Sequence, residues 1–195
     1  MKSTLLAISL LFCLSKTYSQ INNEHLKIGE AAPRIVGIDQ FNNTIDSDKI
    51  LKNNKILLLF YRGNWCPYCK KHLTKLEENL QKFMDKGVRV IVVTPEKVEK
   101  VKETTKKWNA SYSILHDVNN GIMKNYKVAF DVNEATVPKY FSFTVNKIRE
   151  YNETENNVLP VPATYIINND GKIGFVHYDP DYKKRADFNE LLSLM

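Results

Sequence analysis

The sequence predicts an α/β domain with a parallel sheet at its core. The apolar runs Lys55–Tyr61 and Val88–Val93 each have the length and density of a buried strand, and the stretch between them carries apolar residues at helical spacing. The same alternation then repeats, through a lysine-rich helical segment to a short run at Ser113–His116. Parallel neighbours need a crossover connection, and strand–helix–strand spacing of this kind supplies it.

Each element has a local reason. Residues 20–45 are polar and broken by Gly29 and Ala31-Ala32-Pro33, leaving room for a short strand or hairpin at Ile35–Ile38. Asp46-Ser47-Asp48 can cap a short helix over Lys49–Lys52. After the strand at 55–61, a helix from Cys66 to about Lys86 presents Leu73, Leu76, Leu80 and Phe83 on one face, and Gly87 ends it. Thr94-Pro95-Glu96 starts the next helix, which runs through Trp108; Asn120–Lys127 reads as a shorter one. In 129–160, Tyr140, Phe141, Phe143, Val145 and Ile148 alternate with polar residues, which fits a helix over one face of the domain or a lid. Two apolar runs, Ala163–Ile167 and Lys172–Tyr178, flank Asn169-Asp170-Gly171 and make a β-hairpin. Leu191, Leu192 and Leu194 lie in a closing helix. There is no internal repeat and no low-complexity linker.

The chain has 195 residues, enough for one domain with a substantial core, and its 43% hydrophobic and 26% charged content is ordinary for a globular protein. Residues 1–19 read differently. A basic start at Lys2, an apolar stretch Leu5–Leu14 too short to span a bilayer, and small residues ahead of Gln20 mark a secretory signal peptide of bacterial type. The mature domain is then 20–195, periplasmic or secreted, with no membrane anchor. Cys13 leaves with the leader; Phe12 before it and the long Leu14–Gln20 stretch after it do not suit lipid attachment. The formal net charge is +6, and losing Lys2 and Lys16 lowers it to +4. The lysines fall mainly on 70–86 and 97–107, interleaved with glutamates as on a solvated helix face. With no recognition motif, this excess does not point to nucleic acid.

Removing Cys13 leaves two cysteines, and both lie in Phe60-Tyr61-Arg62-Gly63-Asn64-Trp65-Cys66-Pro67-Tyr68-Cys69. A Cys-x-x-Cys between a strand and a helix can close a small reversible disulfide. Unpaired N–H groups and the helix dipole favour a thiolate there. A structural zinc site is excluded on ligand count: no second cysteine pair exists, and His25, His72, His116 and His177 are scattered. A purely structural staple is disfavoured because so short a loop suits exchange better. No metal or other cofactor is required. The helix-start argument picks Cys66 as the nucleophile and the more exposed thiol.

Three segments together resemble the thioredoxin-fold superfamily, in its peroxiredoxin-like branch, the alkyl hydroperoxide reductase and thiol-specific antioxidant family. They are Phe60–Cys69, Val161-Pro162-Ala163-Thr164-Tyr165, and Tyr178-Asp179-Pro180-Asp181-Tyr182-Lys183-Lys184-Arg185. The resemblance spans roughly residues 27–195. It implies a thioredoxin-like fold, with a central mixed β-sheet flanked by helices, and a cis-proline beside the cysteines, at Pro162 with Pro160 as competitor. The family pattern Pro-x-x-x-Thr-x-x-Cys, laid over this chain, puts Cys69 at the peroxide-attacking cysteine, with Arg62 in place of the proline and Cys66 in place of the threonine. Phe60 stands where thioredoxins keep a buried aspartate. Pro67-Tyr68 is the glutaredoxin dipeptide, whose couples sit at about −200 to −230 mV against about −270 mV for thioredoxin.

The resemblance implies a thiol peroxidase that reduces hydrogen peroxide and organic hydroperoxides and is itself reduced by a thioredoxin-like dithiol. For peroxide the expected nucleophile is Cys69, with Cys66 resolving. The alternative is a secreted thiol–disulfide oxidoreductase working through Cys66, and a redox-inert binding domain is a third reading. Arg62 and Arg185 are candidates to hold a thiolate or a peroxide oxygen, against surface ion pairing for each. Trp65 is expected to pack over the pair and Tyr68 to meet substrate. His72, one turn from Cys69, reads as a surface histidine, and Thr94 as a helix cap.

Overall fold

Strand period explains the core. The computed structural model describes residues 24–133, 136–153 and 156–195, so the expected leader at 1–19 lies outside the described residues. A hairpin of β1 (Val36–Ile38) and β2 (Thr44–Asp46) leads into α1 (Ser47–Ile50), whose cap is Asp46, accepting from the Asp48 N–H. β3 (Lys55–Phe60), α2 (Pro67–Asp85), β4 (Val88–Thr94), α3 (Val98–Trp108) and β5 (Ser113–His116) form two successive crossovers. α4 (Gly121–Asn125), β6 (Ala129–Asp131), α5 (Phe141–Tyr151) and β7 (Val158–Pro160) follow. β8 (Thr164–Ile167), β9 (Ile173–His177) and α6 (Phe188–Ser193) complete the chain.

Five strands make the central sheet in the order β5-β4-β3-β8-β9; β3, β4 and β5 run parallel, while β8 and β9 are antiparallel to their neighbours. The sheet is therefore mixed, with helices on both faces, as in the thioredoxin-like fold. Leu57, Leu59 and Tyr61 point to the face covered by α2, α3 and α6, and Ile56, Leu58 and Phe60 point to the face covered by α1 and α4. β4 divides the same way, Val90 and Val92 against Ile91 and Val93. Both faces of β3 are buried, which is why it reads as a continuous apolar run. Each such side chain contributes about 1.5–3 kcal/mol relative to exposure. On α2, Leu73, Leu76, Leu80 and Phe83 are buried, and Gly87, at φ +70, follows its C-terminus as expected.

Three expectations change. α3 begins at Val98, capped by Lys97, not at Pro95. The Pro95–Lys97 stretch is held away from the helix by a Glu96–Asn152 bridge and by Lys97 N–H donating to the Tyr151 carbonyl at 2.8 Å. Thr94 accordingly does not cap that helix; it is fully buried and its hydroxyl accepts from the Glu96 N–H. The second is an addition in 129–160: the expected helix is present as α5, and the strands before and after it in sequence pair as an antiparallel ribbon, β6 on β7. Val145 and Ile148 of α5 join Val132 and Leu159 in a small cluster that also contacts Trp65, so this unit leans on the cysteine loop. The third concerns Pro162. No cis peptide occurs among the described residues, so the expected cis-proline is absent at both Pro162 and Pro160. Pairing of β7 with β6, continued by Val161 N–H donating to the Val128 carbonyl, brings the extended chain to β8 with trans bonds, the default state.

Candidate active site

β3 delivers the loop 61–66 to the C-terminal edge of the parallel strands, the usual place for chemistry in such sheets. Gly63 makes the turn: its φ is +153, and a Cβ there would collide with the Trp65 indole nitrogen. Cys66 is the N-cap of α2, in extended conformation, with Pro67 at the first helical position and Cys69 two residues further. The two thiols thus occupy the cap and third helical positions, where a cap side chain and a backbone donor meet. The Cys69 N–H donates to the Cys66 sulfur.

Both cysteines are free and only 1% exposed, so Cys66 is not the more exposed thiol that its position in the motif suggests. Trp65, the Cys66–Cys69 turn and the C-terminal segment close over them. Their ionisation also differs from the helix-start argument. Burial pushes the Cys69 thiol up. The hydrogen bond from Cys66, the Arg185 guanidinium, the Arg62 N–H and the Arg62 charge together outweigh that, and bring it down to about 6. Cys66 shifts the other way: as hydrogen-bond donor to Cys69, and buried, it is held well above the ordinary thiol range. These effects favour the negative charge on Cys69 and the proton on Cys66.

Arg185 Nη2 lies 3.7 Å from the Cys69 sulfur, and its Nη1 donates to the carbonyls of Tyr182 and Lys184, which fix the guanidinium in place. His72 helps hold the same segment. It is buried, not a surface residue; its Nε2 is 3.2 Å from the Ala186 carbonyl and its ring stacks on Phe188 at 4.6 Å. Burial, aided by the positive charge of Arg185, lowers its pKa to about 3. A neutral imidazole donates to Ala186 but lends no charge to the thiols.

Arg62, Trp65, Cys66, Tyr68 and Pro162 line one cleft of about 650 Å³, together with Tyr182 and residues of α5. Arg62 is not a surface ion-pair residue: it is 5% exposed, with its guanidinium carbon 5.1 Å from the Trp65 ring and 4.6 Å from the Tyr182 ring. Trp65 meets Phe143 of α5 edge-on at 6.1 Å, and Tyr68 meets Tyr182 in the same manner at 5.6 Å. All seven residues expected at the site thus gather there, with Arg185 behind the cysteines and the rest around the opening.

Glu96 was not expected. It is fully buried beyond β4, accepting from the Tyr61 hydroxyl at 2.7 Å and the Asn64 N–H at 2.8 Å. Burial raises its pKa to about 7 despite those bonds, and the negative charge of Cys69 adds to the rise. The available signal was a carboxylate two residues past the end of a largely apolar strand. Among the described residues, no cluster of three or more His, Cys, Asp or Glu is placed to hold a metal.

A mixed thioredoxin-like sheet carrying a buried dithiol, with the pKa of one sulfur lowered by its partner thiol and by a guanidinium, defines a thiol-based oxidoreductase. The chain belongs to the AhpC/TSA family, whose model matches residues 28–176. Its relatives carry two kinds of name. Thiol-disulfide oxidoreductase ResA of Bacillus cereus is 24% identical over 151 residues, covering 77% of this chain and 69% of that protein. The chloroplastic peroxiredoxin Q of Oryza sativa is 22% identical over 167 residues, covering 86% and 65%. Among solved structures, peroxidoxin BcpB from Mycobacterium tuberculosis superposes with a TM-score of 0.65 at 16% identity, over 87% of this chain and 96% of that one. The thioredoxin domain of a thiol-disulfide oxidoreductase from Bacteroides vulgatus gives 0.58 at 18% identity, over 86% and 97%.

Proposed function

We propose that this protein is a thiol peroxidase in which Cys69 attacks the peroxide. The observation that carries this reading is the convergence of three donors on the Cys69 sulfur: the Arg185 guanidinium, the Arg62 N–H and the Cys66 thiol. A thiolate held this way is abundant at neutral pH and still nucleophilic. It attacks one peroxide oxygen, the O–O bond breaks, and the departing alkoxide or hydroxide takes up a proton. Cys69 becomes a sulfenic acid. The Cys66 sulfur then attacks the Cys69 sulfur, water leaves, and the Cys66–Cys69 disulfide forms. An external thioredoxin-like dithiol returns both to thiols by exchange, so no metal or flavin enters the cycle. Stopped-flow mixing of the reduced protein with hydrogen peroxide and with an alkyl hydroperoxide tests this. The reading requires rates far above that of free cysteine at the same pH, and rates equal to it exclude the peroxidase.

A second reading has its own support. Cys66, not Cys69, lines the cleft, and the cleft has the volume to admit a peptide side chain. In that reading Cys66 attacks a protein disulfide and Cys69 resolves the mixed disulfide. A Cys69→Ser variant that traps protein partners covalently, in a protein that does not consume peroxide, establishes it. For either reading we propose export, with a mature chain beginning near Gln20; amino-terminal sequencing of the exported protein checks this.

A further inference from the structure

A buried guanidinium normally has a carboxylate within reach, because an unpaired charge out of water costs several kcal/mol. Among the described residues no carboxylate pairs with Arg62, whose charge bears instead on the Cys69 sulfur, and its buried Nε has no hydrogen-bond partner. The Trp65 and Tyr182 rings lie against it, which partly offsets the cost, but rings accept no in-plane hydrogen bond. Among the described residues the same cleft bears Lys139 and Lys183, with Asp181 its one acid. Its remaining wall is apolar, built on Phe130, Val137 and Phe143.

We infer that the cleft is a recognition site for a small molecule with an apolar body and a carboxylate, the carboxylate taking its hydrogen bonds from Arg62. A guanidinium presents parallel N–H groups that match the two oxygens of a carboxylate. Lys139 and Lys183 bring positive charge to the opening and favour an anion over a neutral molecule of the same shape. The volume of about 650 Å³ falls within the range of small-molecule sites. The cleft is lined by Cys66 and not by Cys69, so the binding site does not rest on the peroxidase reading.

The test uses redox-inert probes on the full-length reduced protein. 4-Phenylbutanoate and 4-phenylbutanamide share a body and differ in the anionic group. Calorimetric titration is expected to give the acid about tenfold or more the affinity of the amide, a discrimination that Arg62→Gln abolishes and Arg62→Lys restores only in part. Equal affinities for acid and amide, or an unchanged acid affinity in Arg62→Gln, overturn the inference. Should that variant not fold, the wild type still decides: the Arg62 Nε–H resonance must shift on adding the acid and not on adding the amide, and a resonance that stays put overturns the inference. Selective acid binding in a protein with no peroxide turnover leaves the site standing and removes the peroxidase reading alone.

Discussion

Arg185 Nη2 stands 3.7 Å from the sulfur of Cys69, reaching from the segment before α6 to the first turn of α2. The two residues are far apart in sequence, and their pairing, after the hydrogen bond from Cys66, lowers the Cys69 pKa. Replacing Arg185 with methionine removes that charge, so the Cys69 pKa rises from about 6 toward the ordinary thiol range. The pH dependence of thiolate absorbance near 240 nm reports the change directly. The peroxide step at neutral pH slows by about tenfold, nearly all of it from the lost charged hydrogen bond of about 1.5–3 kcal/mol, since a rise of about one unit from 6 only halves the thiolate fraction at pH 7.

His72 predicts an acid limb in stability. Its folded pKa, about 3, lies below its unfolded value of about 6.5, so it must be neutral to stay buried. The unfolded chain then binds the extra proton, and stability present above about pH 6.5 is lost as pH falls toward 3. Urea denaturation of reduced His72→Phe from pH 4 to 8 is expected to show a shallower acid decline than wild type. The same variant lacks the donor to Ala186, so its Cys69 pKa rises through a loosened Arg185.

Glu96 works in the opposite sense. Its folded pKa, about 7, lies above an unfolded value of about 4.3, so its contribution is fully present below that value and is lost as pH rises through 7. Glu96→Gln removes this decline while keeping a buried amide beside Tyr61 and Asn64. Stability curves of the variant and wild type, measured from pH 4.5 to 8, are expected to diverge above about pH 5, with the variant the flatter.

Gly63→Ala places a methyl group against the Trp65 indole at φ +153. Overpacking of this kind costs about 1–3 kcal/mol, more where the backbone cannot shift. Chemical denaturation measures the loss. Displacement of Trp65 from the cleft should accompany it, visible as a change in tryptophan fluorescence.

Much of this was legible in the sequence because it is local. β3 and β4 announce themselves as apolar runs because both faces of the sheet are covered, and α2 because its buried leucines recur every three or four residues. The cysteine pair is legible for the same reason: cap, proline and helix are contiguous. The relations that decide the chemistry are not local. The helix-start argument favours Cys66 and the family pattern Cys69; the hydrogen bond from Cys66 and the Arg185 charge, brought in by the chain's end, favour Cys69. Nothing near His72 shows that Phe188 will cover it, and nothing near Glu96 shows that Tyr61 and Asn64 will receive its carboxylate. The ribbon of β6 and β7 escapes a local reading because its three-residue strands are separated by a helix.

The central claim is that Cys69 is the thiolate that meets peroxide, and single serine substitutions test it most directly. Reduced Cys66→Ser and Cys69→Ser are mixed with one equivalent of hydrogen peroxide, and sulfenic acid is trapped with a dimedone-type reagent and located by mass spectrometry. The account predicts one equivalent of adduct on Cys69 in Cys66→Ser, formed at a rate close to wild type's first turnover, and no comparable reaction in Cys69→Ser. Adduct on Cys66 in Cys69→Ser at the full wild-type rate contradicts it, and makes Cys66 the nucleophile for peroxide as for disulfides.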